Sequence, residues 1–131
     1  MYQKTIAKEI SFSGNGLHSG IFTNITVKPS KSNTGIIFKY IDQNNQHEIK
    51  ANINNLYSTK RGTTLSSSTN KYKIHTIEHL LSALYALEID NVIIEIDNIE
   101  IPILDGSSIE FIKKTRQSSL KIATYNSYSW N

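Results

Sequence analysis

The densest group of chemically capable side chains lies at residues 75–79, HTIEH. If these residues open a helix, His75 and His79 are four positions apart on one face, so both imidazoles could reach one metal ion. Glu78 is then about 100° from His79 around the helix axis, near enough to act as a base on metal-activated water. The spacing also matches the H-x-x-E-H pattern of the inverted zincins, a class of zinc peptidases.

A zinc peptidase would need a third protein ligand, and no histidine follows His79 in the chain. The acidic residues that could serve are not singled out by their spacing: Asp90, Glu95, Asp97, Glu100 and Asp105. The alternative is an ordinary helix start whose exposed first turn carries polar side chains. For a five-residue match considered alone, this alternative is favoured.

A second candidate is the glycine-rich segment at residues 14–20, GNGLHSG. It lacks the Lys-Ser/Thr pair of a phosphate-binding P-loop, and a strand rather than a helix follows it. By itself the segment is typical of a hairpin loop that carries His18 on the surface.

The elements that would position these residues follow from hydrophobic periodicity. Strand-like alternation predicts strands at 5–12, 21–28, 35–40, 47–53, 61–68 and 90–97. Apolar residues at three- and four-residue spacing predict a helix over 76–87, with Thr76 as its N-cap, and a shorter helix over 107–115.

Strands come first and helices surround a late strand, which predicts an α+β fold. The expected architecture is a two-layer sandwich, in which a small, mostly antiparallel sheet carries two helices on one face. The side chains expected in its core are Ile77, Leu81, Leu84, Val92, Ile94, Phe111 and Ile112.

Composition excludes several classes of protein. The chain has 131 residues, of which 38% are hydrophobic and 19% charged, as expected for one folded domain. No apolar stretch approaches the ~20 residues of a membrane span, residues 1–10 lack the apolar run of a secretory signal, and there is no cysteine. We therefore expect a cytoplasmic protein without a membrane span. The net charge of +3 comes from scattered lysines rather than an arginine- and aromatic-rich stripe, so we expect no nucleic-acid partner, although a basic face could serve an anionic small molecule.

Five segments, in order, resemble the motifs of one family. They are GNGLHSG at 14–20, GTTL at 62–65, TIEHLLSAL at 76–84, IDN at 89–91 and EIPILDGS at 100–107. The family is the zinc-dependent UDP-3-O-acyl-N-acetylglucosamine deacetylases of lipid A biosynthesis, and the resemblance covers about residues 3–116.

This resemblance implies a hydrolase that releases acetate from an acetamide and uses Zn²⁺. His79 matches a zinc ligand of the family, and Glu78 matches the general base that activates the attacking water. Four further residues match stretches that line the substrate cleft: Leu17, His18, Gly62 and Thr63. His75 lies just outside the motif, which argues against the inverted zincin interpretation.

The family folds as two similar domains with the active site between them, and its other zinc ligands come from an H-K-x-x-D helix of the second domain. This sequence has no such motif. We therefore predict a deacetylase N-terminal domain over 1–116 and an unmatched, poorly ordered tail over 117–131. The chain would be the N-terminal half of the enzyme, inactive without the missing C-terminal domain. The alternative is a non-catalytic binding module with the same fold, although retention of both Glu78 and His79 favours the enzyme.

Overall fold

Alternating apolar residues in the first half of the chain build most of the sheet structure. A computed structural model of the protein describes residues 2–43, 45–52, 56–59, 62–67, 72–117 and 120–122. The strands are β1 (Lys4–Ile6), β2 (Ile10–Asn15), β3 (Phe22–Pro29), β4 (Ile36–Asp42), β5 (Asn45–Lys50), β6 (Leu56–Thr59), β7 (Gly62–Ser66), β8 (Lys73–His75), β9 (Val92–Ile96) and β10 (Leu120–Ile122). The helices are α1 (Glu78–Ala86) and α2 (Ile109–Gln117).

The main layer is a five-stranded sheet in the order β2-β3-β9-β4-β5. Neighbouring strands are antiparallel except β4 and β9, which run parallel. A three-stranded antiparallel sheet joins β6, β7 and β8, and β1 pairs with β10. The fold is therefore an α+β two-layer sandwich, as the periodicity predicted.

Both helices contribute to a core that they share with the main sheet. Leu80 and Leu84 of α1 and Phe111 of α2 are buried among the sheet's apolar residues, and the Phe111 ring lies 4.9 Å from the Phe12 ring of β2. Five of the residues predicted for the core are fully buried: Ile77, Leu84, Val92, Ile94 and Phe111. The other two, Leu81 and Ile112, are partly buried against it. Neither described helix is long and apolar enough to cross a membrane.

Two local predictions were wrong. The predicted strand 5–12 is two strands, because residues 7–9 leave the extended pairing and β2 then continues to Asn15, inside the predicted loop. Helix α1 begins after Ile77 rather than at Thr76, whose φ of 61° lies outside the helical region. Parts of the predicted strands 47–53 and 61–68 lie outside the described residues.

The predicted boundary at residue 116 falls one residue before the end of α2. Strand β10 follows within the predicted tail and pairs antiparallel with β1, with Lys4 opposite Ile122. Residues 118–119 and 123–131 lie outside the described residues, so the extent of the domain stays a prediction.

Candidate active site

The start of helix α1 is fixed against strand β7. The backbone N–H of Ile77, which precedes the helix, donates to the Thr63 carbonyl at 3.2 Å. The carboxylate of Glu78 then lies directly beside Gly62, where a Cβ atom would come within 2.9 Å of Glu78 Oε2. Gly62 also has a φ of 143°, so both the close carboxylate and the backbone conformation favour glycine at this position. The Glu78 carboxylate therefore packs against the backbone of β7 at Gly62.

One oxygen of that carboxylate has no hydrogen-bond partner among the described residues. Glu78 Oε1 is buried and makes no hydrogen bond to any residue that the structure describes. Leaving a buried acceptor unsatisfied costs about 1–3 kcal/mol, so such atoms are rare away from functional positions. The arrangement suits a group that accepts a proton or contacts a ligand.

Beside Gly62 opens a cavity of about 330 Å³. Its walls come from the loop after β2, from β7, from the end of β8 and from the segment after β9. The lining residues are His18, Ser19, Gly62, Thr64, His75, Thr76, Ile99 and Glu100.

His75 forms part of the cavity wall and is held by Thr64, whose Oγ1 lies 2.9 Å from His75 Nδ1. Burial lowers the pKa of His75, and the nearby Lys73 and His18 lower it further, although Glu100 opposes them. The imidazole is therefore neutral at pH 7 and can either donate or accept a hydrogen bond in the cavity.

Glu100 is a buried acid at the back of the same cavity, with 1% of its surface exposed. Its carboxylate accepts hydrogen bonds from the backbone N–H groups of His18 and Ser19 and from the Thr76 hydroxyl. Burial alone raises its pKa, but the bonds from Thr76, Ser19 and His18 outweigh burial and lower the pKa from 4.5 to about 2. Glu100 is therefore ionised at neutral pH.

The structure does not place His75 and His79 on one helix face, which agrees with the preference against the inverted zincin interpretation. His75 ends strand β8, and its backbone is bonded to the segment after β9: its N–H donates to the Ile99 carbonyl and its carbonyl accepts from Ile101. Thr76 then turns the chain before α1 begins. The geometry that an inverted zincin requires is therefore absent from residues 75–79.

The other candidates from the sequence occupy different parts of this region. His18 and Gly62 line the cavity, and Glu78 adjoins it through Gly62. Leu17 is 56% exposed on the loop after β2. Thr63 and His79 are half-buried, on β7 and on the first turn of α1, and neither is among the described residues that line the cavity.

Sequence reasoning missed several residues that line the cavity. Ser19, Thr64 and Ile99 were not considered as site residues, and Glu100 was considered only as a possible metal ligand. A signal for Glu100 did exist, because an acid directly followed by Ile-Pro in an apolar segment is an unusual place for a solvated charge.

Comparison with known proteins identifies the family of this chain. The profile of the family described as LpxC, UDP-3-O-acyl N-acetylglycosamine deacetylase, matches residues 3–128, and the chain belongs to this family. It is 47% identical over 111 residues to the "Bifunctional enzyme LpxC/FabZ" of Chlorobaculum tepidum. That alignment covers 85% of this chain but only 23% of the relative, so the chain spans about a quarter of that protein's length.

The family implies zinc, and the residues present fit one part of a zinc site. Within the described part of the chain, no three His, Asp or Glu side chains come together as a metal-binding group. The buried, unpartnered Oε1 of Glu78, next to His79 in sequence, suits the edge of a metal site that needs further ligands from elsewhere.

Proposed function

We propose that this chain supplies the N-terminal half of a zinc-dependent deacetylase that hydrolyses the acetamide of UDP-3-O-acyl-N-acetylglucosamine in lipid A biosynthesis. The observation that carries the proposal is the Glu78 carboxylate, which lies against Gly62, a residue of the cavity wall, and whose buried Oε1 makes no hydrogen bond to any described residue. Family membership supports the reaction class.

Glu78 is proposed as the general base, because its Oε1 makes no hydrogen bond to any described residue and could accept a proton from the water that attacks the acetamide carbonyl. The same carboxyl group can return the proton to the leaving amine. His79 would provide one zinc ligand. When bound, zinc supplies a Lewis acid for the carbonyl and lowers the pKa of water.

The substrate contacts are proposed at the cavity wall and its rim. His18 and Gly62 line the cavity, the exposed Leu17 precedes His18 on the same loop, and Thr63 follows Gly62 on β7. The neutral His75 adds a hydrogen-bonding group to the same wall.

The remaining ligands would come from a second deacetylase domain, which is the proposed partner. This follows from the single zinc ligand, His79, that the family resemblance assigns to this chain and from the three that a catalytic zinc site takes from protein. The proposed location of the reaction is the cytoplasm.

The test is acetate release from UDP-3-O-acyl-N-acetylglucosamine in the presence of zinc. We expect no turnover by this chain alone, and turnover when the second domain of a family member is added. Glu78→Gln should abolish that activity, whereas Glu88→Gln, an exposed acid just past the same helix, should preserve it.

Turnover by the chain alone, at the rate of a two-domain enzyme, would refute the need for a second domain. Activity that survives Glu78→Gln would show that the base is another residue. Substrate binding without turnover in the mixture would favour the non-catalytic binding module instead.

A separate expectation concerns zinc binding by the isolated chain. With His79 as the single proposed ligand, calorimetric titration should detect weak binding without a defined stoichiometry. A tight one-to-one site that disappears in His79→Ala would contradict this expectation.

A further inference from the structure

We propose that Glu100 is a positioning residue that holds the loop after β2, here called the His18 loop because it carries His18 and Ser19, at a fixed place relative to the start of helix α1. This inference rests on the proposed function, since it concerns how the substrate-contacting loop and the catalytic base are aligned. It assigns a role to Glu100, which is the one buried acid in the described part of the chain and which the proposed mechanism does not use.

Both oxygens of the Glu100 carboxylate accept hydrogen bonds, and they share the His18 N–H as a donor. Oε1 accepts from the N–H groups of His18 at 3.2 Å and Ser19 at 2.8 Å. Oε2 accepts from the His18 N–H at 3.1 Å and from the Thr76 hydroxyl at 2.5 Å. One oxygen therefore bonds only to the loop, and the other joins the loop to the residue that precedes the Ile77–Glu78 turn.

The backbone around Glu100 makes the same connection. On one side, the His75 N–H donates to the Ile99 carbonyl at 2.7 Å, and the Ile101 N–H donates to the His75 carbonyl at 3.1 Å. On the other side, the Ile103 N–H donates to the Asn15 carbonyl at 2.9 Å. Residues 99–103 thus form a short bridge between β8 and the end of β2, with the Glu100 side chain at its centre.

Gly16 and Thr76, which both lie beside the Glu100 carboxylate, have features that depend on it. A Cβ atom at Gly16 would lie 2.2 Å from Glu100 Oε1, so a side chain there would displace the acid. Thr76 has a φ of 61°, an uncommon conformation for a β-branched residue, and its hydroxyl bond to Glu100 compensates for that backbone strain. The strained residue lies two positions before Glu78, so the bond also sets where α1 begins.

The first test uses the chain itself and needs no activity. Amide hydrogen exchange, followed by NMR, should show that the His18 and Ser19 N–H groups are protected. Glu100→Gln offers one acceptor oxygen in place of two, so at least one of these amides should exchange about tenfold faster, as expected for loss of a charge-assisted hydrogen bond.

Thr76 provides a matched pair in case Glu100→Gln does not fold. Thr76→Ser keeps the hydroxyl and should retain wild-type protection of the His18 and Ser19 amides from exchange. Thr76→Val keeps the shape of the side chain but lacks the hydroxyl, so part of that protection should be lost. Protection at His18 and Ser19 that is unchanged in both Glu100→Gln and Thr76→Val would overturn the proposal.

The second test separates positioning from a purely structural role. In the mixture with the second domain, Thr76→Val and Glu100→Gln should lower kcat/KM by about tenfold to a hundredfold, the range expected for a misplaced catalytic group. Thr76→Ser should restore activity in step with loop protection. A loosened loop with unchanged kcat/KM would overturn the positioning role. If the wild-type mixture shows no turnover, the proposed function fails and the positioning role with it, whereas the exchange result still reports whether Glu100 holds the loop.

Discussion

The acid sensitivity of the fold should depend on Glu100. Its pKa of about 2 lies below the ordinary 4.5, so the folded state favours the ionised carboxylate. A depressed carboxyl pKa contributes stability that is fully present above the unfolded value and is lost as the pH falls through the folded value. The relevant window therefore runs from pH 4.5 down to about pH 2.

The size of the effect follows from the difference of about 2.5 between the two pKa values, because one unit corresponds to about 1.4 kcal/mol. This gives an upper value of about 3.5 kcal/mol. Glu100 forms the wall of a cavity that opens to water, so solvent screening reduces the contribution, and we expect about 1–3 kcal/mol.

The assay is urea unfolding at pH steps from 7 to 2, for the wild type and for Glu100→Gln. The wild type should be more stable above pH 4.5, and the difference should shrink as Glu100 protonates. Glu110→Gln, an exposed acid on α2, should follow the wild-type curve. If the difference in the free energy of unfolding between wild type and Glu100→Gln stays constant from pH 7 to pH 2, the argument from ionisation is refuted.

Two further predictions concern stability. Gly62→Ala should lower the free energy of unfolding by about 1–3 kcal/mol and displace Glu78, because the added methyl group contacts that carboxylate and the backbone is also strained. Gly20→Ala has open space around it and should show the backbone strain alone. Urea unfolding of the two variants measures the difference. Phe111→Ala should cost about 3–5 kcal/mol in the same assay because its ring is fully buried against the sheet, and Ile109→Ala, 54% exposed on the same helix, should cost under 1 kcal/mol. Equal losses in either pair would contradict the packing described here.

Much of the fold could be predicted because local periodicity reflects burial. The alternation of Val92, Ile94 and Ile96 with the half-buried Ile93 and Glu95 is present in β9 as the sequence indicated. The position of β9 in the sheet could not be predicted, because nothing in its own residues specifies that it pairs with both β3 and β4.

Only part of the candidate site could be predicted, because some of its contacts join segments that are far apart in the chain. Glu78 and Gly62 were recognised through motif resemblance, and their proximity followed once β7 was paired with the start of α1. The local pattern around Glu100 indicates a buried acid, but its role depends on donors that lie 81 and 82 positions earlier in the chain, which that pattern does not specify. The start of α1 was placed too early, because Thr76 has a φ of 61°, outside the helical region, and its hydroxyl donates to the distant Glu100.

The central place of β9 constrains the order in which the protein can fold. The hairpins β2–β3 and β4–β5 form from neighbouring residues, but β9 alone joins them in the main sheet. During synthesis each hairpin therefore keeps an open edge until β9 has been made, and closure requires the slow formation of distant contacts. The connection that must fold back for this closure contains α1, so the sheet becomes complete in the same event that brings Glu78 and His79 to their final positions.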